Sequence, residues 1–96
     1  MLIGNYFKKI NLKYKNHYFS GLCFNSLKCK KNNIFFAIKG NEIDGNKFIK
    51  DAIKNGARTI VSSQKYEGIK NNILYLNSLN VRKSLAEIAF SIYKIK

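Results

Sequence analysis

The sequence predicts a single small α/β domain, with a mixed or parallel sheet of about four to five strands and helices packed on it. Three observations lead there. Apolar runs of strand length recur at 19–25, 34–38, 58–62 and 73–77. Segments with apolar residues at helical spacing separate or follow those runs, at 46–55 and from Val81 to the end of the chain. The chain has 96 residues at 46% hydrophobic content, enough for one core and too few for a second.

In order, Ile3, Tyr6, Phe7 and Ile10 fall at helical spacing and predict a short amphipathic helix over 2–10. Residues 11–18 are polar and basic without periodicity and read as a connector, with His17 at its surface. The first strand, 19–25, leads into a loop at 26–33, where Lys28, Lys30, Lys31 and the pair Asn32-Asn33 suit a turn. The second strand, 34–38 (IFFAI), is apolar at every position, as expected of a strand covered on both faces. A polar loop then leads to the helix at 46–55. Its apolar face is Phe48, Ile49, Ala52 and Ile53, Asp44 and Asn46 stand at its start, and Gly56 ends it. The third strand is 58–62, residues 66–72 read as a polar connection, and the fourth strand is 73–77. Asn80 caps a last helix carrying Val81, Leu85, Ile88, Ala89 and Ile92 on one face. The expected core contains Phe7, Phe35, Ala37, Ile49, Ile53, Ile60, Leu85 and Ile88.

A net charge of +13 would by itself suggest a polyanionic partner, and a small stand-alone basic nucleic-acid-binding protein is the alternative reading. The kind of base argues against it. The charge is carried by 16 Lys against 2 Arg, spread along the chain beside 13 Asn and 13 Ile, which is the composition of a strongly AT-rich coding sequence. Nucleic-acid readers lean on arginine for bidentate contacts. No apolar run approaches the ~18 residues of a membrane span, so no membrane partner and a cytoplasmic location are expected. Cys23 and Cys29, with His17 as the only histidine, cannot assemble a four-ligand zinc site; no metal site is expected and both are read as ordinary reduced thiols.

The functional reading centres on 22–48. Alternation along 22–26 predicts that Leu22, Phe24 and Ser26 share one strand face, with Cys23 and Asn25 on the other. The run 34–38 ends at Lys39-Gly40, before the polar loop 41–46. Two strand ends thus carry polar loops, and open α/β sheets bind ligands outside the carboxyl ends of their strands.

These residues carry a resemblance. Asn25-Ser26, the run IFFAI, Gly40, Asp44-Gly45 with Phe48, Ala52 with Gly56-Ala57, and the closing segment VRKSLAEIAFSIY together resemble the N-terminal domain of the Mur ligases over almost the whole chain. The sequence departs from the family pattern at Leu27, where the Asp-Ser-Arg turn has its arginine, and at Asn32-Asn33, which replace Gly-Asp. Asp44-Gly45 followed by Phe48 is similar to the member that adds the third peptide residue.

The resemblance implies a substrate-binding domain. It would hold the uridine diphosphate end of UDP-N-acetylmuramoyl-L-alanyl-D-glutamate in an ATP-dependent peptidoglycan-precursor ligase. Carried over by position, Phe24 and Ser26 supply an apolar contact and a hydroxyl, and Asn41, Glu42 and Ile43 form the loop that receives the nucleotide. Lys28 and Lys39 are general candidates for charge near the pyrophosphate.

No G-x-x-x-x-G-K-[ST] loop and no cluster of His and carboxylates occurs in the chain. Residues 1–96 are therefore expected to be the N-terminal domain alone, catalytically inactive and without a cofactor. ATP and Mg²⁺ are expected only in central and C-terminal domains that would act in cis. The chain is then either the first domain of a longer enzyme or a truncated reading frame.

Overall fold

A computed structural model of the chain describes residues 1–7, 10–38 and 45–93. Among these residues five strands, β1 (Gly21–Cys23), β2 (Asn33–Phe36), β3 (Thr59–Ser62), β4 (Gly68–Lys70) and β5 (Ile73–Asn77), form one sheet in the order β1-β2-β3-β5-β4. β1, β2, β3 and β5 run parallel, and β4 is an antiparallel edge strand on β5. Among the described residues, two α-helices, α1 (Ile49–Lys54) and α2 (Val81–Ile92), complete the α/β domain.

Strand alternation sorts the core into two layers. Ile34, Phe36, Val61, Leu74 and Leu76 face one way and pack with Ile3, Phe19 and, from α2, Val81 and Ile88. Phe35, Ile60 and Ile73 face the other way and pack with Ala37, Ala57, Cys23, Cys29 and, from α1, Ile49 and Ala52. All four residues of β2 are buried, Ile34, Phe35 and Phe36 as the apolar run requires and Asn33 with its side chain bonded to Lys30 N–H and Ser20 Oγ. Of the expected core, Phe35, Ala37, Ile49, Ile60 and Ile88 are buried, while Phe7, Ile53 and Leu85 are partly buried and pack on its rim.

Over 2–7 the expected opening helix does not form. Among the described residues of that segment, only Ile3–Asn5 is helical, as one 3-10 turn. The segment pairs instead with 15–19: Ile3 N–H donates to the His17 carbonyl at 2.9 Å, Gly4 to Lys15 at 2.8 Å and Phe19 to Met1 at 2.8 Å. Gly4 permits that approach, since a Cβ there would lie 2.6 Å from Lys15 Cβ. Helical spacing still brings Ile3, Tyr6, Phe7 and Ile10 to the core, which is why the pattern misleads about the backbone alone.

His17 is half-buried instead of lying on the surface. Its Nε2 is 3.3 Å from the Arg58 carbonyl oxygen. Burial holds the imidazole below its ordinary pKa of 6.5, and the bond to Arg58 offsets part of that effect.

Strand one is shorter than expected and stops at Cys23. The helix expected over 46–55 starts as a 3-10 turn (Gly45–Phe48) and becomes α-helical over Ile49–Lys54, with Asn55 as its C-cap. Gly56 follows at φ +117°, with its carbonyl accepting from Asn32 N–H at 2.8 Å. The expected capping contribution of Asp44 lies outside the described residues.

The supposed connection at 66–72 contains β4. Lys70 pairs with Ile73 around Asn71 and Asn72, both at positive φ (53° and 65°), the backbone of a tight two-residue hairpin. Asn-Asn was the signal available for it. The last helix is as read: Asn80 Oδ1 accepts from Lys83 N–H at 3.0 Å and α2 runs to Ile92.

Candidate functional site at the carboxyl edge of the sheet

β1, β2, β3 and β5 all end on one edge, and each delivers a polar or small residue there. Beyond β1, Asn25 organises a tight turn. Its side-chain oxygen accepts from Leu27 N–H at 3.0 Å and its carbonyl from Lys28 N–H at 2.9 Å. A single 3-10 turn, Ser26–Lys28, results. The Ser26 carbonyl accepts from Asn55 Nδ2 at 2.8 Å, so the end of α1 holds this turn from below.

The turn corrects the expectation that Phe24 and Ser26 share a strand face. With the strand over at Cys23, two-residue alternation no longer applies, and Phe24 is 67% exposed whereas Ser26 is 5% exposed. Leu27, at the position of the family's arginine, is exposed. Beyond β2, Ala37 N–H donates to the Val61 carbonyl at 2.9 Å and Ile38 N–H to the Phe36 carbonyl at 3.0 Å, which ends the ladder. Asn41, Glu42 and Ile43, which follow β2 in the sequence, lie outside the described residues, as does Lys39.

Sequence reasoning missed a cleft of about 410 Å³ on the same edge, lined by Ala37, Ile38, Ser63, Leu79, Asn80, Val81 and Arg82. It lies where β2 and β3 end and α2 begins. Its rim is tied down locally: Ser78 Oγ and Ser84 Oγ are 2.7 Å apart, Asn80 N–H donates to Ser78 Oγ at 3.2 Å, and Asn77 Nδ2 donates to the Gln64 carbonyl at 2.6 Å. The signal was the placement of a fully exposed Leu79 and one of only two arginines on either side of the Asn80 cap. A second cleft, about 370 Å³, sits at the opposite edge among Ile53, Arg58, Asn71, Asn72, Ile73 and Tyr75, away from the strand ends that carry polar loops.

The two cysteines are not independent thiols. Cys29 Sγ donates to Cys23 Sγ at 2.8 Å, and both are buried. Burial first, then the bond and charge interaction with Cys23, push the Cys29 thiol far above its ordinary range. Among the described residues, no group of three or more His, Cys, Asp or Glu is placed to hold a metal ion, and no helix is long and apolar enough to cross a membrane.

A mostly parallel sheet with polar turns at its carboxyl edge defines an open α/β domain, a class in which ligands sit outside the carboxyl ends of the strands. Comparison with known proteins defines it further. The family described as "Mur ligase family, catalytic domain" matches residues 18–93, and the chain belongs to that family. It is 40% identical over 78 residues to the UDP-N-acetylmuramoyl-L-alanyl-D-glutamate--2,6-diaminopimelate ligase of Rickettsia prowazekii, covering 81% of this chain and 16% of that protein. To the enzyme of the same name from Fusobacterium nucleatum it is 38% identical over 87 residues, covering 91% of this chain and 17% of that protein.

Among solved structures, MurF ligase from Thermotoga maritima in complex with ADP superposes with a TM-score of 0.60 at 28% identity, covering 73% of this chain and 16% of that one. MurF from Acinetobacter baumannii superposes with a TM-score of 0.61 at 20% identity, a likeness of fold, over 73% of this chain and 15% of that one. The chain thus spans about a sixth of the length of these curated relatives.

Proposed function

We propose that this chain is the N-terminal, substrate-binding domain of a cytoplasmic peptidoglycan-precursor ligase that adds the third peptide residue, and that it holds the uridine diphosphate end of UDP-N-acetylmuramoyl-L-alanyl-D-glutamate. The observation that carries this reading is the likeness, over most of the chain, to ligases named for that substrate. The fold supports it, because β1, which leads into the turn bearing Ser26, and β2, which precedes Asn41, Glu42 and Ile43 in the sequence, are adjacent parallel strands.

In this reading the Ser26 hydroxyl donates to a phosphate oxygen, the backbone of 41–43 reads the uracil edge, and the Phe24 ring covers the base. ATP and Mg²⁺ belong to further domains of the ligase acting in cis, so these 96 residues by themselves bind and do not catalyse.

Uridine diphosphate titrated into the chain and followed by amide NMR shifts is the test. A domain without the rest of the substrate cleft should bind weakly, with Kd on the order of 0.1–1 mM. Shifts should centre on 24–26 and 40–44. Ser26→Ala should weaken binding by about 1.5–3 kcal/mol, the worth of a hydrogen bond to a charged group, while Leu12→Ala, at an exposed position, leaves it unchanged. Shifts that follow scattered lysines and vanish with moderate salt would overturn the reading and favour nonspecific polyanion binding.

A further inference from the structure

Cys23 ends β1 and Cys29 is the C-cap of the 3-10 turn that follows. The turn Ser26–Lys28 folds the chain back on itself, so residues six apart in sequence place their sulfurs 2.8 Å apart. The Asn25 carbonyl oxygen sits between them in sequence and accepts from Cys23 Sγ at 2.8 Å, with Cys29 Sγ 3.7 Å away. A disulfide needs about 2.0 Å between sulfurs, so the pair is within roughly 0.8 Å of a bonded separation. Both residues lie in the layer packed under α1, with 6% and 7% of their surface exposed, an access that suits only a very small oxidant.

We propose that Cys23 and Cys29 are a redox pair that a small hydroperoxide converts to an intramolecular disulfide, stapling the turn that carries Ser26. The proposal stands on the sulfur geometry and does not depend on the nucleotide reading. Both thiols donate, Cys29 to Cys23 Sγ and Cys23 to the Asn25 carbonyl; once Cys23 gives its proton to water, the Cys29 S–H still points at the sulfur left behind, which makes Cys23 the attacking sulfur. The Cys23 thiolate attacks one peroxide oxygen, the O–O bond breaks, and the hydroxide that leaves takes up the proton that Cys23 released, as water. Cys23 is thereby oxidised to the sulfenic acid while the peroxide is reduced. The Cys29 sulfur then attacks Cys23 Sγ, the S–O bond breaks, and the departing hydroxide takes the Cys29 proton as a second water. Two thiols and one hydroperoxide of hydrogen give one disulfide and two waters.

The pair is tested on the full chain with hydrogen peroxide. Thiols alkylated in denaturant should fall from two to none per chain, with an intact-mass loss of two hydrogens that dithiothreitol reverses. Trypsin cuts after Lys28, between the two cysteines, so the oxidised chain should yield two peptides joined by the disulfide that separate on reduction. Cys29→Ser should leave a sulfenic acid at Cys23 that dimedone captures, whereas the unaltered chain closes before the label accumulates. The peptide map of the unaltered chain decides the matter even where that variant fails to fold. Two thiols still alkylated after peroxide, or oxidation that gives only sulfinic acids or links between chains, would overturn the pair.

Discussion

The two faces of the sheet are covered in different ways. Over one, large side chains dominate: Phe36, Ile34 and Leu74 from the sheet meet Phe19 and Ile3 from the N-terminal segment, with Val81 and Ile88 from α2. Over the other, the contacts include Ala37, Ala52, Ala57, Cys23 and Cys29, and the cover is the six-residue α1. Small residues let a short helix lie close, and α1 follows β2 in the chain, so this face closes locally. A helix of that length has no stability alone and depends on the packing. The first face closes only when segments from both ends of the described chain arrive. Large side chains are what such a cover needs, since they fill the gaps that an irregular segment leaves.

The largest expected effect breaks the bulky face. Phe36→Ala removes a fully buried ring from the central layer and should cost about 3–5 kcal/mol, read as a loss of urea midpoint or, at that magnitude, as failure to fold. On the close-packed face, Gly56→Ala forces a Cβ to within 2.8 Å of Lys31 Cα at a φ of +117°. It should cost roughly 1–3 kcal/mol, where an ordinary surface Gly→Ala change would be near neutral or stabilising.

Thr59 offers a change of opposite sign. Alternation puts it on the same side of β3 as Val61, and its Oγ1 is buried without a hydrogen-bond partner. Thr59→Val replaces the unpaired hydroxyl with a methyl of similar shape and should stabilise the domain by about 1 kcal/mol, seen as a higher thermal midpoint with an unchanged NMR fingerprint.

The smallest effect is a pH dependence from His17. Its folded pKa is lowered, so the unfolded chain takes up the proton first. Stability from this group is full above about pH 6.5 and falls as pH drops through that value toward the folded pKa. Urea midpoints taken across that window should show the slope, and His17→Gln should flatten it. A midpoint that rises as pH falls would contradict the buried placement of His17.

The sequence by itself determined the elements whose signals are local. The unbroken run at 34–38 announced a strand buried on both sides, Asn80 before an apolar period announced α2, and Gly56 announced the end of α1. Each depends on residues within a few positions of each other. The family was legible for the same reason, since its motifs are contiguous runs of sequence.

Tertiary structure decided the rest. The N-terminal segment gave up a helix because pairing with 15–19 satisfies its backbone while keeping Ile3 in the core, and no periodicity distinguishes those outcomes. Strand β4 exists because β5 has an open edge for it to pair with, its own residues being largely exposed. Phe24 and Ser26 parted company because a turn intervened between them. The thiol pair and the cleft at Asn80 were invisible for one reason: each is made by bringing together groups that a linear reading treats separately. The Cys29 sulfur reaches Cys23 only through the fold of the Asn25 turn, and the cleft only through the meeting of β2, β3 and the start of α2.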